Sequence, residues 1–187
     1  GRSIGIMYCL QGSVHPLLFH PSYAEVQHLP IGERLTALKE PTRRHRLIND
    51  IPDDGGIFQK IVFDKLDGMW IVNGPNIDYE PHREDSIAGL ASRSGIPPMQ
   101  LILDHLCSDD GNAMIYAPFF NYSYGDLSMA YEAHLHPHTR IGLSDAGAHC
   151  GAICDGGMPT FMLTHWTRDR SRGPRLPLEF IVHRQTR

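Results

Sequence analysis

An apolar segment, Thr139–Leu143 (TRIGL), runs directly into Ser144-Asp145-Ala146-Gly147-Ala148-His149-Cys150-Gly151-Ala152. The segment reads as a strand, and the Asp145 carboxylate follows it at once. Small residues surround that carboxylate, so the backbone can turn tightly and approach a ligand. In α/β proteins the active site collects at the carboxyl ends of the strands. Asp145 therefore stands where a reactive carboxylate belongs. His149 shares its loop and is a candidate for substrate contact. The plainer reading is that Asp145 caps the turn and His149 is an ordinary loop residue. Position and composition alone do not choose.

Other residues carry possible chemistry. His134, His136 and His138 form two His-x-His spacings. They precede the Thr139–Leu143 segment, which as a strand is about 16 Å long at roughly 3.3 Å per residue. They are therefore expected at the amino end of the strand, where residues serve stability. Cys150 and Cys154 stand beside His149, but a structural zinc site needs a fourth ligand. Gly142-Leu143-Ser144-Asp145-Ala146 misses the nucleophile elbow G-x-S-x-G at its second glycine. Arg168, Arg170, Arg172 and Arg175 form a basic cluster: either a solvated loop, or a place where one arginine meets a substrate carboxylate. Tyr116 and Asn121 flank the carboxyl end of another apolar run, Met114–Phe120, and are candidates to line a pocket.

The elements that would position these groups follow from pattern. Ser3–Leu10 and Met114–Phe120 are apolar runs of strand length, and Met69–Val72 is a shorter one. Pro30–Leu47 has a loose helical pattern, enough for one or two surface helices. Asp85 or Ser86 can cap a helix over Ile87–Ser92, and Pro97 fits the first turn of the next. Asp126–His134, Pro159–Thr167 and Pro177–Gln185 read as helices. Helices alternating with continuous apolar strands suit a parallel sheet covered by helices. The fold class is α/β, and an open doubly wound sheet competes with a (β/α)8 barrel. At 187 residues with about four strands, a barrel has to be partial, since a complete one takes about 250 residues.

Composition bounds the partners. The chain is 41% hydrophobic and 20% charged with a net charge of −4, so neither nucleic acid nor a membrane surface is expected to bind it. No apolar run approaches the roughly 18 residues of a membrane span. Four scattered cysteines point to free thiols and a reducing, cytoplasmic setting.

The stretch GLSDAGAHCGAICDGGMPTFMLTHWTRDR, followed by LPLEFIVHRQT, resembles the end of the N-acyl-D-amino-acid deacylase (D-aminoacylase) group of the amidohydrolase superfamily. LQGSVHPLLFHPSY, DYEP and PPMQLILDHLCSDDG also resemble that group, more weakly. The likeness spans nearly the whole chain but only the later part of the family's length. It implies a distorted (β/α)8 TIM-type barrel holding one or two divalent metals, usually zinc. Residues 1–187 would be the carboxyl-terminal portion of its single catalytic barrel. By the motif, Asp145 is the aspartate that ends the last barrel strand, beside the metal-bound water. It would take a proton as that water attacks the amide carbonyl and pass one to the leaving amine. Asp145 is thus expected both as the catalytic group and as the chain's metal-side residue, with His149, Tyr116 and Asn121 toward the substrate, an N-acyl amino acid or related amide.

The superfamily's His-x-His pair after its first strand, and its later ligands, are not recognisable here. One carboxylate does not hold a catalytic zinc, which takes three protein ligands and a water. The 187 residues alone are therefore expected neither to bind the metal firmly nor to hydrolyse amides. As a cut barrel they would expose strand edges and associate. Two other readings stay open: a cyclic amidase of the same superfamily, and a non-catalytic barrel remnant that serves as a structural module.

Overall fold

A computed structural model describes residues 1–63, 65–74, 77–142, 147 and 155–186. The described residues are mixed α/β and divide into two compact units. One, the helical unit, comprises Met7–Ile77 and Arg83–Ala117. The other, the carboxyl-terminal unit, comprises Gly1–Ile6, Asp78–His82 and Pro118–Arg187. A three-stranded sheet is ordered β1-β3-β2, with β1 at Ile4–Tyr8, β2 at Trp70–Ile71 and β3 at Ile115–Phe120.

The helical unit is built from α1 (Pro21–Ala24), α2 (Ile31–Lys39), α3 (Pro41–Asn49), α4 (Gly56–Val62), α5 (Ile87–Ser94) and α6 (Pro98–Leu106). Its interior is aliphatic: Leu35 and Leu38 of α2, Leu47 of α3 and Ile102, Leu103 and Leu106 of α6 are buried. The helix boundaries have local causes. Glu40 caps α3, its carboxylate accepting the Thr42 and Arg43 N–H groups at 2.9 and 2.7 Å, and Pro41 fills the first position. Ser86 caps α5 through its Oγ, which accepts from the Gly89 N–H. A Cβ on Gly89 would come within 2.1 Å of the Glu84 carbonyl oxygen, so only glycine fits. Gly95 closes α5 at φ 70°, a conformation that glycine takes without strain.

The carboxyl-terminal unit holds α7 (Ser128–Leu135), α8 (Met158–Thr164) and α9 (Leu178–Thr186). After Thr164 the chain widens into a π-turn over His165–Asp169, closed by the Arg170 N–H donating to the His165 carbonyl at 2.8 Å. Trp166, within this turn, is fully buried. Its indole N–H donates to the Gly1 carbonyl at 2.8 Å. No helix among the described residues is long and apolar enough to cross a membrane.

Two sequence expectations need correction. The sheet is not parallel throughout: β2 runs antiparallel to β3, with Trp70 opposite Tyr116 and Ile71 opposite Ile115. An apolar run such as Ile115–Ala117 reports burial on both faces but not strand direction. Residues 139–142 form no strand. Thr139 is instead tied to the end of α7, its Oγ1 donating to the Ala133 and His136 carbonyls. Leu143 lies outside the described residues.

Candidate functional site

The loop singled out from sequence is only bracketed by the structure. Asp145 and His149, with Cys150 and Cys154, lie outside the described residues. Asp155, the first described residue after it, is buried and paired with Arg2, Nη2 to Oδ1 at 2.5 Å. The Arg2 guanidinium also lies 4.0 Å over the Tyr79 ring.

The two other candidates fall in different units. Tyr116 is buried in β3 within the helical unit. Asn121 follows β3 in the carboxyl-terminal unit, exposed, with φ 62°. Asparagine is among the few residues that enter that left-handed region readily. Its Nδ2 donates to the Arg2 carbonyl at 3.1 Å, which fixes the turn.

The tightest polar constellation is one that sequence reasoning passed over. Glu80, of the DYEP segment, is buried at 2% exposure, and so is Arg170. They form a two-pronged pair, Arg170 Nε to Oε2 at 3.1 Å and Nη2 to Oε1 at 3.0 Å. Glu80 Oε1 also accepts the Leu127 N–H at 2.9 Å. The His165 Nε2 lies 3.4 Å from Oε2. Burial alone would raise the Glu80 carboxyl, but His165, Arg170 and the Leu127 N–H outweigh it and bring it down to about 2. Arg170 also lies 4.7 Å over the Trp166 ring. Arg172 donates to the Glu80 and Pro81 carbonyls and to the Tyr122 hydroxyl, and that hydroxyl donates to Pro81.

This arrangement anchors rather than reacts. A carboxylate with each oxygen committed and its acidity raised is a poor proton acceptor near neutrality. The arginine cluster therefore divides. Arg170 is a core residue, not a solvated one. Arg168 is exposed and pairs with its neighbour Asp169, and Arg175 is exposed with its Nε donating to the Arg170 carbonyl. Ninety positions separate Glu80 from Arg170, and no local spacing signals the pairing. The hint available was a charged residue set between Tyr79 and Pro81.

The histidine trio divides similarly. His134 is buried edge-on against Trp166, ring centroids 5.0 Å apart, while His136 and His138 are exposed. Of the cysteines, Cys9 and Cys107 are free, and burial pushes the Cys107 thiol up to about 11, which leaves it inert. Among the described residues, no group of three or more His, Cys, Asp or Glu side chains is placed to hold a metal. No protein-family model, curated protein or solved structure matches the chain.

Proposed function

We propose that this chain is the later part of a metal-dependent hydrolase of linear amides, acting on N-acyl-D-amino acids, with Asp145 as the group that moves the proton. The observation that carries the reading is the segment from Gly142 to Arg168, in which a lone carboxylate follows an apolar run and sits among small residues. Asp145 takes a proton from the attacking water and returns one to the leaving amine. Two segments of the resemblance, DYEP and the stretch ending in Arg170, share one buried ion pair, which suits pieces of a single structure.

On this reading the parent's remaining metal ligands come from the superfamily's His-x-His pair and its later ligands, which are not recognisable in these 187 residues. The antiparallel β2–β3 pair then belongs to a departure from the regular barrel. Activity resides in the full-length parent, whose partners are small-molecule amides.

The test is a substrate panel on that parent after zinc loading. N-acetyl-D-methionine should be hydrolysed, and hydantoin should not. Asp145→Asn should lower kcat at least about 100-fold, the scale of general acid–base catalysis, without altering the thermal midpoint. Turnover of hydantoin alone would favour the cyclic amidase. An Asp145→Asn enzyme of normal rate would overturn the role given to that residue. The 187-residue chain itself, stripped and reloaded, should retain no tightly bound zinc.

A further inference from the structure

The chain holds one Asn-Gly step, Asn73-Gly74, and four Asp-Gly steps, at Asp54, Asp67, Asp110 and Asp155. At such a step the glycine nitrogen can attack the side-chain carbonyl of the residue before it and close a five-membered imide. Glycine permits the attack because it has no Cβ to crowd the approach. The attack also needs an N–H that is free to lose its proton, and a hydrogen bond to an acceptor withholds it. The fold therefore decides which of these steps can react.

The Asp-Gly steps are closed. The Gly55 N–H donates to Gln59 Oε1 at 2.7 Å. The Gly68 and Gly111 N–H groups donate to the Lys65 and Ser108 carbonyls, both at 2.9 Å. Asp155 is buried, with its carboxylate held by Arg2. An ionised carboxylate also resists a nucleophile where a neutral amide does not. Asn73-Gly74 is left open. It follows β2, just beyond the Val72 N–H that donates to the Met114 carbonyl at 3.0 Å. Both residues are exposed. Gly74 has φ 75°, and a Cβ there would meet nothing within 4 Å. Its N–H has no hydrogen-bond partner among the described residues. The other asparagines are less apt. Asn49 ends α3, and the N–H after it, of Asp50, donates to the Arg46 carbonyl at 2.7 Å. Asn76, Asn112 and Asn121 precede Ile77, Ala113 and Tyr122, which all carry a Cβ.

We propose that Asn73 is a site of spontaneous deamidation and isoaspartate formation in the folded protein. The Gly74 nitrogen gives its proton to solvent base and bonds to Asn73 Cγ. The Cγ–Nδ2 bond breaks, and Nδ2 takes a proton from water and leaves as ammonia. Water then opens the imide. Cleavage between the Gly74 nitrogen and Cγ gives aspartate; cleavage between that nitrogen and the Asn73 carbonyl carbon gives isoaspartate. The product carries a new negative charge just after β2, and as isoaspartate it lengthens the main chain there by one carbon. The site does not depend on the amide-hydrolase reading.

The experiment holds the folded 187-residue chain at pH 8, well below its thermal midpoint, and maps it by mass spectrometry. Isoaspartate is counted by methyl transfer from labelled S-adenosylmethionine with an isoaspartyl methyltransferase. Asn73 should lose its amide at least about tenfold faster than any other asparagine, a barrier lower by about 1.4 kcal/mol, and isoaspartate should appear at residue 73. The loss should slow as pH falls toward 6, because proton loss from the Gly74 nitrogen drives ring closure. Asn73→Gln, whose longer side chain would have to close a six-membered ring, should show no isoaspartate there. An Asn73 that keeps its amide in the folded chain, a second asparagine that matches its rate, or a rate that does not slow at lower pH would each overturn the site. So would undiminished methyl transfer into Asn73→Gln.

Discussion

The two units differ in whether they bury charge, though both carry exposed pairs, such as Arg168 with Asp169 in the carboxyl-terminal unit. In the carboxyl-terminal unit, Glu80 with Arg170 and Arg2 with Asp155 are buried. In the helical unit the ion pairs stand at the surface. Glu25 pairs with Arg43 and Arg46, Arg44 with Asp104, and Arg83 with Asp67, each carboxylate close to half exposed. The same chemical pair has different consequences in the two places. An exposed pair gains little over hydration and loses side-chain freedom. A buried pair is not a strong source of net stability either, but each half makes the other tolerable, so removing one is severe. The helical unit is held by its aliphatic interior. The carboxyl-terminal unit has charge woven into its core.

Removing one partner of the buried pair gives the largest expected effect. Glu80→Ala leaves Arg170 buried and unpaired and the Leu127 N–H without its acceptor. A loss of about 3–5 kcal/mol is expected, measured by urea unfolding. The chain's two tryptophans make the comparison readable, because Trp166 lies in the carboxyl-terminal unit and Trp70 in the helical unit. In a Trp70→Phe background the loss should appear in Trp166 fluorescence. Equal stability of Glu80→Ala and its parent would mean that the ion pair is not part of the core. Acid gives a second view. A carboxyl held low in the folded state contributes stability above its unfolded value, near 4.5, and loses it as pH falls toward about 2. Glu80→Gln should lack that component of acid unfolding.

How far the sequence reached depends on what each interaction needs. Helices were legible where a cap, a proline and an apolar stripe sit within a few residues, as at Ser86 with α5 and at Pro97 and Pro98 with α6. Helix α4 was not expected, because it opens on Gly55 and Gly56, and glycine is a poor helix former. Strand positions were legible in β1 and β3, but direction was not, since continuous burial looks the same either way. The Thr139–Leu143 segment has strand composition, yet the structure ties Thr139 to α7 through its hydroxyl. Of the candidate site, Tyr116 is buried in β3 of one unit and Asn121 is exposed in the other, and Asp145 lies outside the described residues. The Glu80–Arg170 pair was invisible for a physical reason. A buried charge carries no local signature when its partner is 90 residues away.

A middle-sized effect should appear in the helical unit's response to pH. His15, in the helical unit, is 1% exposed and meets Tyr23 edge-on at 4.8 Å. Burial first, and then the Arg34 charge, push its imidazole down to about 4. The unfolded chain takes up this proton near 6.5 and the folded chain does not, so stability falls as pH drops from about 6.5 to 4. His15→Phe should flatten that slope, by on the order of 2 kcal/mol at pH 4, read from Trp70 in a Trp166→Phe background. An unchanged slope would place the helical unit's acid sensitivity elsewhere. Ser86→Ala, which deletes the α5 cap, should cost less, about 1 kcal/mol, and independently of pH between 5 and 8.

The smallest effect is the most informative about the surface pairs. Glu25 looks important in the structure. It meets Arg43 at 2.5 Å and Arg46 at 2.8 Å, and the two guanidiniums hold its carboxyl at about 2. Judged by distance alone it equals Glu80. It differs in exposure, with 46% of its side chain open to solvent against 2% for Glu80. Water and salt screen the first pair and scarcely reach the second. Glu25→Gln should therefore leave the urea midpoint unchanged within error, at low salt and at 0.5 M salt alike. A clear destabilisation that vanishes in salt would show that Glu25, Arg43 and Arg46 act as a network linking α3 to the segment after α1. The contrast between the units would then be one of degree, with the surface cluster supplying part of what the aliphatic interior is credited with here.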